Sequence, residues 1–220
     1  MIRAAVFDLD GTIADTLENL AFCSNSVLSE FGLPAVDTVH YKHFVGDGAS
    51  TQIRRVLRYL KKDEDELHEK VFRRYLDFFD RNCLQKVVSY DGIPELLASL
   101  KKLGISCTVF SNKPHLQAVK VVEGIFPKGT FEIIRGQQEG FPKKPAPDGA
   151  LLIAKELGVS PSECIYLGDT DTDMKTGKNA GMFTVGVLWG FREEDELKKA
   201  GADALAAAPA DVLSFISRLS

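Results

Sequence analysis

Cysteine is scarce in this chain: 220 residues contain four, Cys23, Cys83, Cys107 and Cys164. They stand singly, which excludes both the close pairs of a zinc site and the density of a secreted disulfide framework. Their reading is as small buried hydrophobes in a reducing compartment. Long apolar runs are missing too. The stretch Met1-Ile2-Arg3-Ala4-Ala5-Val6-Phe7-Asp8 is too short for a signal peptide and is stopped by charge, and no later run could span a bilayer. The expectation is a cytoplasmic protein with no membrane partner. Nor is there an excess of positive charge: 27 Lys and Arg against 31 Asp and Glu leave a formal charge of −4, with no basic field to attract nucleic acid. Internal repeats and low-complexity tracts are absent, which excludes a solenoid or a disordered linker. What is present is ample apolar material. A hydrophobic content of 45% at this length can bury a sizeable core as one large domain or two unequal ones.

The order of segments divides the chain. Ala4 to Leu9 reads as a buried strand. From about Thr16 to Cys83 only helical patterns occur, over Leu17 to Phe31, Ala49 to Leu60 and Asp63 to Arg81, separated by Gly32-Leu33-Pro34 and Gly46-Asp47-Gly48. After Asp91-Gly92-Ile93-Pro94 helices and strands alternate. Strands are expected at Ile105 to Phe110, Phe131 to Ile134, Cys164 to Leu167 and Phe183 to Val187. Helices are expected at Pro94 to Leu103, His115 to Glu123, Asp148 to Leu157 and Thr172 to Ala180, with closing helices around Glu193 to Ala200 and Ala210 to Leu219. A lone first strand is unstable, so it must join the later sheet. The expected fold class is α/β: a doubly wound parallel sheet built from residues 1–15 and 86–220, with a small all-helical cap of residues 16–85 inserted after strand one.

Such sheets bind ligands at the carboxyl ends of their strands. Strand one ends in Asp8-Leu9-Asp10-Gly11-Thr12, two carboxylates followed by a glycine that lets backbone approach a ligand. Strand two ends in Ser111-Asn112-Lys113, a hydroxyl, an amide and a cation where the next helix begins. A later strand ends in Gly168-Asp169-Thr170-Asp171-Thr172-Asp173, carboxylates that repel one another unless a cation or hydrogen bonds offset the charge. Lys143-Lys144-Pro145 precedes that strand. All four sets fall on one edge of one sheet.

This arrangement resembles the haloacid dehalogenase superfamily of phosphotransferases. Its four motifs stand here as Asp8-x-Asp10-Gly11-Thr12, Ser111, Lys144 and Gly168-Asp169-x-x-x-Asp173, and the likeness covers essentially the whole chain. Gly46-Asp47-Gly48-Ala49, Ser111-Asn112-Lys113-Pro114, Asn179-Ala180-Gly181 and Trp189-Gly190-Phe191 are similar to the phosphoglycolate phosphatase subgroup. The resemblance implies Asp8 as the nucleophile that forms an aspartyl phosphate and Asp10 as general acid and base. It implies Mg²⁺ held by Asp8, the Asp10 carbonyl, Asp169 and Asp173, the last through water. Ser111 and Lys144 would hold the phosphoryl oxygens, with Thr12, Gly46, Asp47, Gly48 and Asn112 as substrate contacts. The implied partner is a small phosphorylated metabolite, 2-phosphoglycolate first, with pyrophosphate, nucleotide and sugar phosphates open; the chain is expected as a monomer or homodimer.

Related reactions divide on the same residues. Hydrolytic dehalogenases and phosphonate cleavers of this superfamily lack the aspartate at Asp10, and ion pumps carry a Lys-Thr pair that is absent here. A sugar phosphomutase keeps both aspartates and stays open, as does a catalytically silent binding module. His40 and His43 are three apart, but no further ligands accompany them. Arg54, Arg55 and Arg58 form either a solvated face or a contact for a substrate carboxylate. Phe72, Tyr75, Leu76 and Phe79 form an apolar stripe expected to pack. Whether Lys143 or Lys144 enters the site, and whether Asp171 does, is open at this level. A hinge is expected near Ile13 to Thr16 and Asn82 to Ser89.

Overall fold

The computed structural model describes residues 1–219. In chain order the elements begin with β1 (Ala4–Phe7), β2 (Ala14–Asp15) and four helices, α1 (Leu17–Glu30), α2 (Thr38–Phe44), α3 (Ala49–Tyr59) and α4 (Asp65–Asn82). They continue through β3 (Val88–Ser89), α5 (Ile93–Lys102), β4 (Ser106–Pro114), α6 (His115–Ile125), β5 (Ile133–Gln137) and α7 (Asp148–Glu156). They close with β6 (Cys164–Gly168), α8 (Asp171–Asn179), β7 (Phe183–Val187), α9 (Glu194–Lys199), β8 (Ala204–Ala206) and α10 (Asp211–Leu219).

Six strands form one parallel sheet in the order β5-β4-β1-β6-β7-β8. β1 is central, pairing Ala4 with Ser106 on one side and with Cys164 on the other. Its four residues are fully buried, as a strand covered on both faces requires. Alternation along it feeds two cores: Ala4 and Val6 pack with Phe110, Ile153 and Tyr166, whereas Ala5 and Phe7 pack with Val109, Ile165 and Leu167. The second core is continuous with the interior of α1–α4, through Leu20, Tyr41, Ile53, Tyr75 and Phe79. The four helices enter and leave through the antiparallel pair β2 and β3, in which Ala14 opposes Ser89 and Asp15 opposes Val88.

Several elements differ from expectation. The expected strand Phe131 to Ile134 lies two residues further on as β5, because Phe131 turns into the core against Phe7 and Phe126. β4 runs past Phe110 to Pro114, with a register shift against β5 between those two residues. The pair β2 and β3 is too short to show a period, and β8 is an alanine-rich edge held by pairing with β7. Among the described residues no helix is long and apolar enough to cross a membrane. All four cysteines are free and buried, with burial raising the thiols of Cys23 and Cys107 to about 12.

Candidate active site

Asp8 follows β1 directly and donates its N–H to Leu167 at 2.8 Å, so the ladder holds its backbone in place. The chain then turns sharply, with Ile13 and Ala14 both bonding the carbonyl of Leu9. Gly11 sits at φ +84°, and a Cβ there would lie 2.2 Å from Asp169 Oδ2, so glycine is required at this close approach. Asp169 follows β6 and is fully buried. It accepts from Thr12 Oγ1 at 3.1 Å and from the Phe191 N–H at 2.9 Å. Trp189 donates to the Thr12 carbonyl at 2.9 Å, so the Trp189-Gly190-Phe191 segment aims Asp169 through both partners. Burial, with Asp173 and Asp8 as neighbours, pushes the Asp169 carboxyl well above its usual range.

Asp173 lies in the first turn of α8 in a capping box with Thr170, whose N–H and Oγ1 reach its Oδ2 at 3.1 and 2.5 Å. Its other oxygen accepts from Lys144. Lys144 Nζ bridges Asp8 Oδ1 at 2.6 Å and Asp173 Oδ1 at 2.7 Å. Asn112 fixes the lysine's backbone from both sides, accepting from its N–H at 2.9 Å and donating to its carbonyl at 3.2 Å. Burial opposes the lysine's charge, but Asp173 and Asp8 more than offset this and hold the ammonium protonated. For Asp8, burial first and repulsion from Asp173 second outweigh Lys144 and raise the carboxyl to about 7.

Asp8, Asp169 and Asp173 each offer an oxygen to a point where those atoms lie within 4.8 Å of one another. Three buried carboxylates face one ammonium there, a hard-oxygen donor set whose excess negative charge a divalent cation would offset. The residues therefore fit Mg²⁺.

Above this cluster opens a narrow cleft, lined on the sheet side by Asp8, Asp10, Ser111, Asn112 and Lys113. The helical side contributes Leu20, Gly46, Gln52, Tyr75 and Phe79. Ser111, Asn112 and Lys113 lie within the register shift of β4, an irregularity that re-aims side chains beside a site. Lys113 Nζ pairs with Asp10 Oδ1 at 2.7 Å and lies 4.8 Å from the centre of the Phe79 ring.

The 42–48 segment of the helices is fastened to the sheet. Asn112 donates to the Gly46 carbonyl at 3.2 Å, Thr172 to Asp47 Oδ1 at 2.7 Å, and Lys143 to the Asp47 carbonyl at 3.2 Å. Arg192, 9% exposed, donates to the Lys42 carbonyl and, at 3.0 Å, to that of Val45.

The structure thus gathers Asp8, Asp10, Ser111, Gly46, Gly48 and Asn112 on one cleft, with Lys144, Asp169 and Asp173 beside Asp8. Two residues expected as substrate contacts are engaged elsewhere. Thr12 is fully buried with its hydroxyl on Asp169. The Asp47 carboxylate binds Arg55 at 2.5 Å and Thr172, and although burial opposes its charge these donors keep its carboxyl below the usual range. Lys144 enters the site, whereas Lys143 does not. Asp171 is an outer partner of Lys175 at 2.5 Å. Arg54 and Arg58 both bind Asp63, so the three arginines have partners within the helical segment. His40 meets the Tyr59 hydroxyl at 3.1 Å. Lys113 stands at a strand end expected to face the ligand but had no role assigned, and Gln52, Tyr75 and Phe79 were not expected in the site. Tyr75 and Phe79 are one helical turn apart in the apolar stripe, and Lys113 stands directly after Ser111-Asn112, signals that gain meaning once α4 is known to face β4.

The chain matches the haloacid dehalogenase-like hydrolase family over residues 5–187. It belongs to that family. It is 29% identical over 218 residues to an N-acetylmuramic acid 6-phosphate phosphatase from Pseudomonas aeruginosa, covering 99% of this chain and 96% of that one. It is 30% identical to a phosphoglycolate phosphatase from Aquifex aeolicus, covering 86% of each. A solved structure of a candidate phosphoglycolate phosphatase from Lactobacillus delbrueckii superposes with a TM-score of 0.92 at 30% identity, covering 97% of this chain and 98% of that one. This haloacid dehalogenase-like chain is accordingly a phosphatase, a hydrolase of phosphate esters, of the phosphoglycolate phosphatase-like subgroup.

Proposed function

We propose that this phosphatase hydrolyses a small phosphorylated acid, 2-phosphoglycolate first, with Asp8 as nucleophile and Mg²⁺ as cofactor. The observation that carries the reading is Lys144, locked between Asp8 and Asp173 with Asp169 alongside. A phosphate monoester resists hydrolysis because an anion must approach an anionic phosphorus, so charge must be neutralised where the phosphoryl group sits. Bound at Asp8, Asp169, Asp173 and the Asp10 carbonyl, Mg²⁺ would supply that neutralisation.

The chain's own residues perform the steps. Lys144 holds one Asp8 oxygen, leaving the other to attack phosphorus as the ester P–O bond breaks. Ser111 accepts from the Lys113 N–H at 3.2 Å, which leaves its hydroxyl hydrogen for a phosphoryl oxygen. Asp10, protonated at the start, gives its proton to the departing alkoxide, then takes one from the water that displaces Asp8 from phosphorus, so that phosphate is released, Asp8 returns as a carboxylate and Asp10 is again protonated. Helices α1–α4 serve as a cap that excludes bulk water, with β2 and β3 as its hinge. A narrow cleft closed over by the helices suits a small metabolite rather than a macromolecule. The names of the two curated relatives both denote phosphorylated acids, which orders the candidates. Phosphate release should be measured from 2-phosphoglycolate, N-acetylmuramic acid 6-phosphate, pyrophosphate, a nucleotide monophosphate and glucose 6-phosphate, with Mg²⁺ or with chelator. Magnesium-dependent release that favours an acid supports the reading; release that survives chelation, or none from any ester, contradicts it.

A further inference from the structure

We infer that Lys113 determines specificity by anchoring a carboxylate on the leaving-group half of the substrate, an inference that rests on the phosphatase reading. The cleft wall facing Asp8 and Asp10 is mostly apolar, with Leu20, Val45, Tyr75 and Phe79. Its amide, Gln52, already donates to Ser24 at 2.9 Å. Arg54, Arg55 and Arg58 are paired to carboxylates of their own segment, and Arg192 to backbone carbonyls and Glu196. Lys113 is thus the one cation lining the cleft among the described residues. Its side chain is 2% exposed. An ammonium has three N–H donors, and here one hydrogen bond is formed, to Asp10. Two donors remain on this buried ammonium, which is backed by the Phe79 ring.

Position completes the case. Asp10 would face the ester oxygen, and Lys113 lies one hydrogen bond beyond it, on the side where the alcohol half must extend. A carboxylate there fills the free donors and is matched in charge, whereas a neutral group leaves them unpaired in low dielectric.

The test compares kcat/KM for an acid with that for its carboxylate-free counterpart: 2-phosphoglycolate against ethyl phosphate, and N-acetylmuramic acid 6-phosphate against N-acetylglucosamine 6-phosphate. Wild type, Lys113→Gln and Lys113→Arg are assayed with Mg²⁺. Both esters of a pair are measured on one sample, so a misfolded fraction cancels in their ratio. The expected result is a wild-type preference for the acid that falls about 10- to 100-fold in Lys113→Gln and is largely kept in Lys113→Arg. A Lys113→Gln variant that slows both esters of a pair equally would show that Lys113 serves Asp10 alone, and overturns the inference while the phosphatase reading stands. Wild type that hydrolyses none of the four, and none of pyrophosphate, a nucleotide monophosphate and glucose 6-phosphate, overturns that reading itself.

Discussion

Replacing Lys144 by methionine keeps most of the side-chain volume and removes one buried charge, with a consequence that depends on pH. The ammonium is fully buried and bonded to Asp8 at 2.6 Å and Asp173 at 2.7 Å, and its loss leaves both carboxylates uncompensated. Breaking a buried pair in this way costs about 3–5 kcal/mol. Asp8 sets the pH dependence. Its carboxyl stands at about 7 in the fold against 3.8 unfolded, so between those values the folded state keeps a proton that the unfolded chain has released. Stability from this group therefore falls as pH rises through that window, by a total on the order of 4 kcal/mol, and none of it remains above pH 7. Lys144 lowers the Asp8 value, so without it the falling limb extends past neutral pH. The variant should then lose most at alkaline pH. In chelator, differential scanning fluorimetry should find a Tm deficit of roughly 6–20 °C at pH 8 and a clearly smaller one at pH 5.5. An equal deficit at both pH values, or a variant more stable than wild type at pH 8, would refute the electrostatic account of the cluster.

Other outcomes follow from the same geometry. Mg²⁺ at 100 times its Kd should stabilise the protein by about 2.7 kcal/mol, roughly 5–10 °C, and release protons near pH 6.5, where the raised Asp8 and Asp169 carboxyls must ionise to bind it. Asp169→Asn should abolish most of that shift in the same titration. Arg192→Ala removes donors to the Lys42 and Val45 carbonyls, so hydrogen exchange should rise in residues 42–48 and stability fall by about 1–3 kcal/mol. Unchanged exchange there would mean that Arg192 does not hold the helices to the sheet.

The fold was legible where local pattern and global burial agree. β1 reads as a continuous apolar run because both its faces are covered, and α4 reads from the stripe that includes Tyr75 and Phe79 because that face is buried. β2, β3 and β8 were not legible, since two or three residues carry no period and are fixed by their neighbours. α2 is seven residues long and becomes visible through its Asp37 cap, whose carboxylate accepts from the Val39 N–H at 3.3 Å. In the site, residues at strand ends could be placed because the sheet forces their backbones to one edge. Direction of side chains could not. Thr12 and Asp47 look like ligand contacts by position, yet Thr12 turns to Asp169 and Asp47 to Arg55 and Thr172. The same limit hid the partner of Lys113, since its pairing with Asp10 joins residues 103 positions apart.

The role of Asp8 is tested most directly by phosphate release from wild type and Asp8→Asn, with Mg²⁺ present and folding checked by circular dichroism. The asparagine keeps the shape of the side chain and removes the nucleophilic oxygen, so turnover of the best ester should fall by about 10³-fold or more. An Asp8→Asn enzyme that retains activity within about tenfold of wild type would place the reacting group elsewhere and contradict the account.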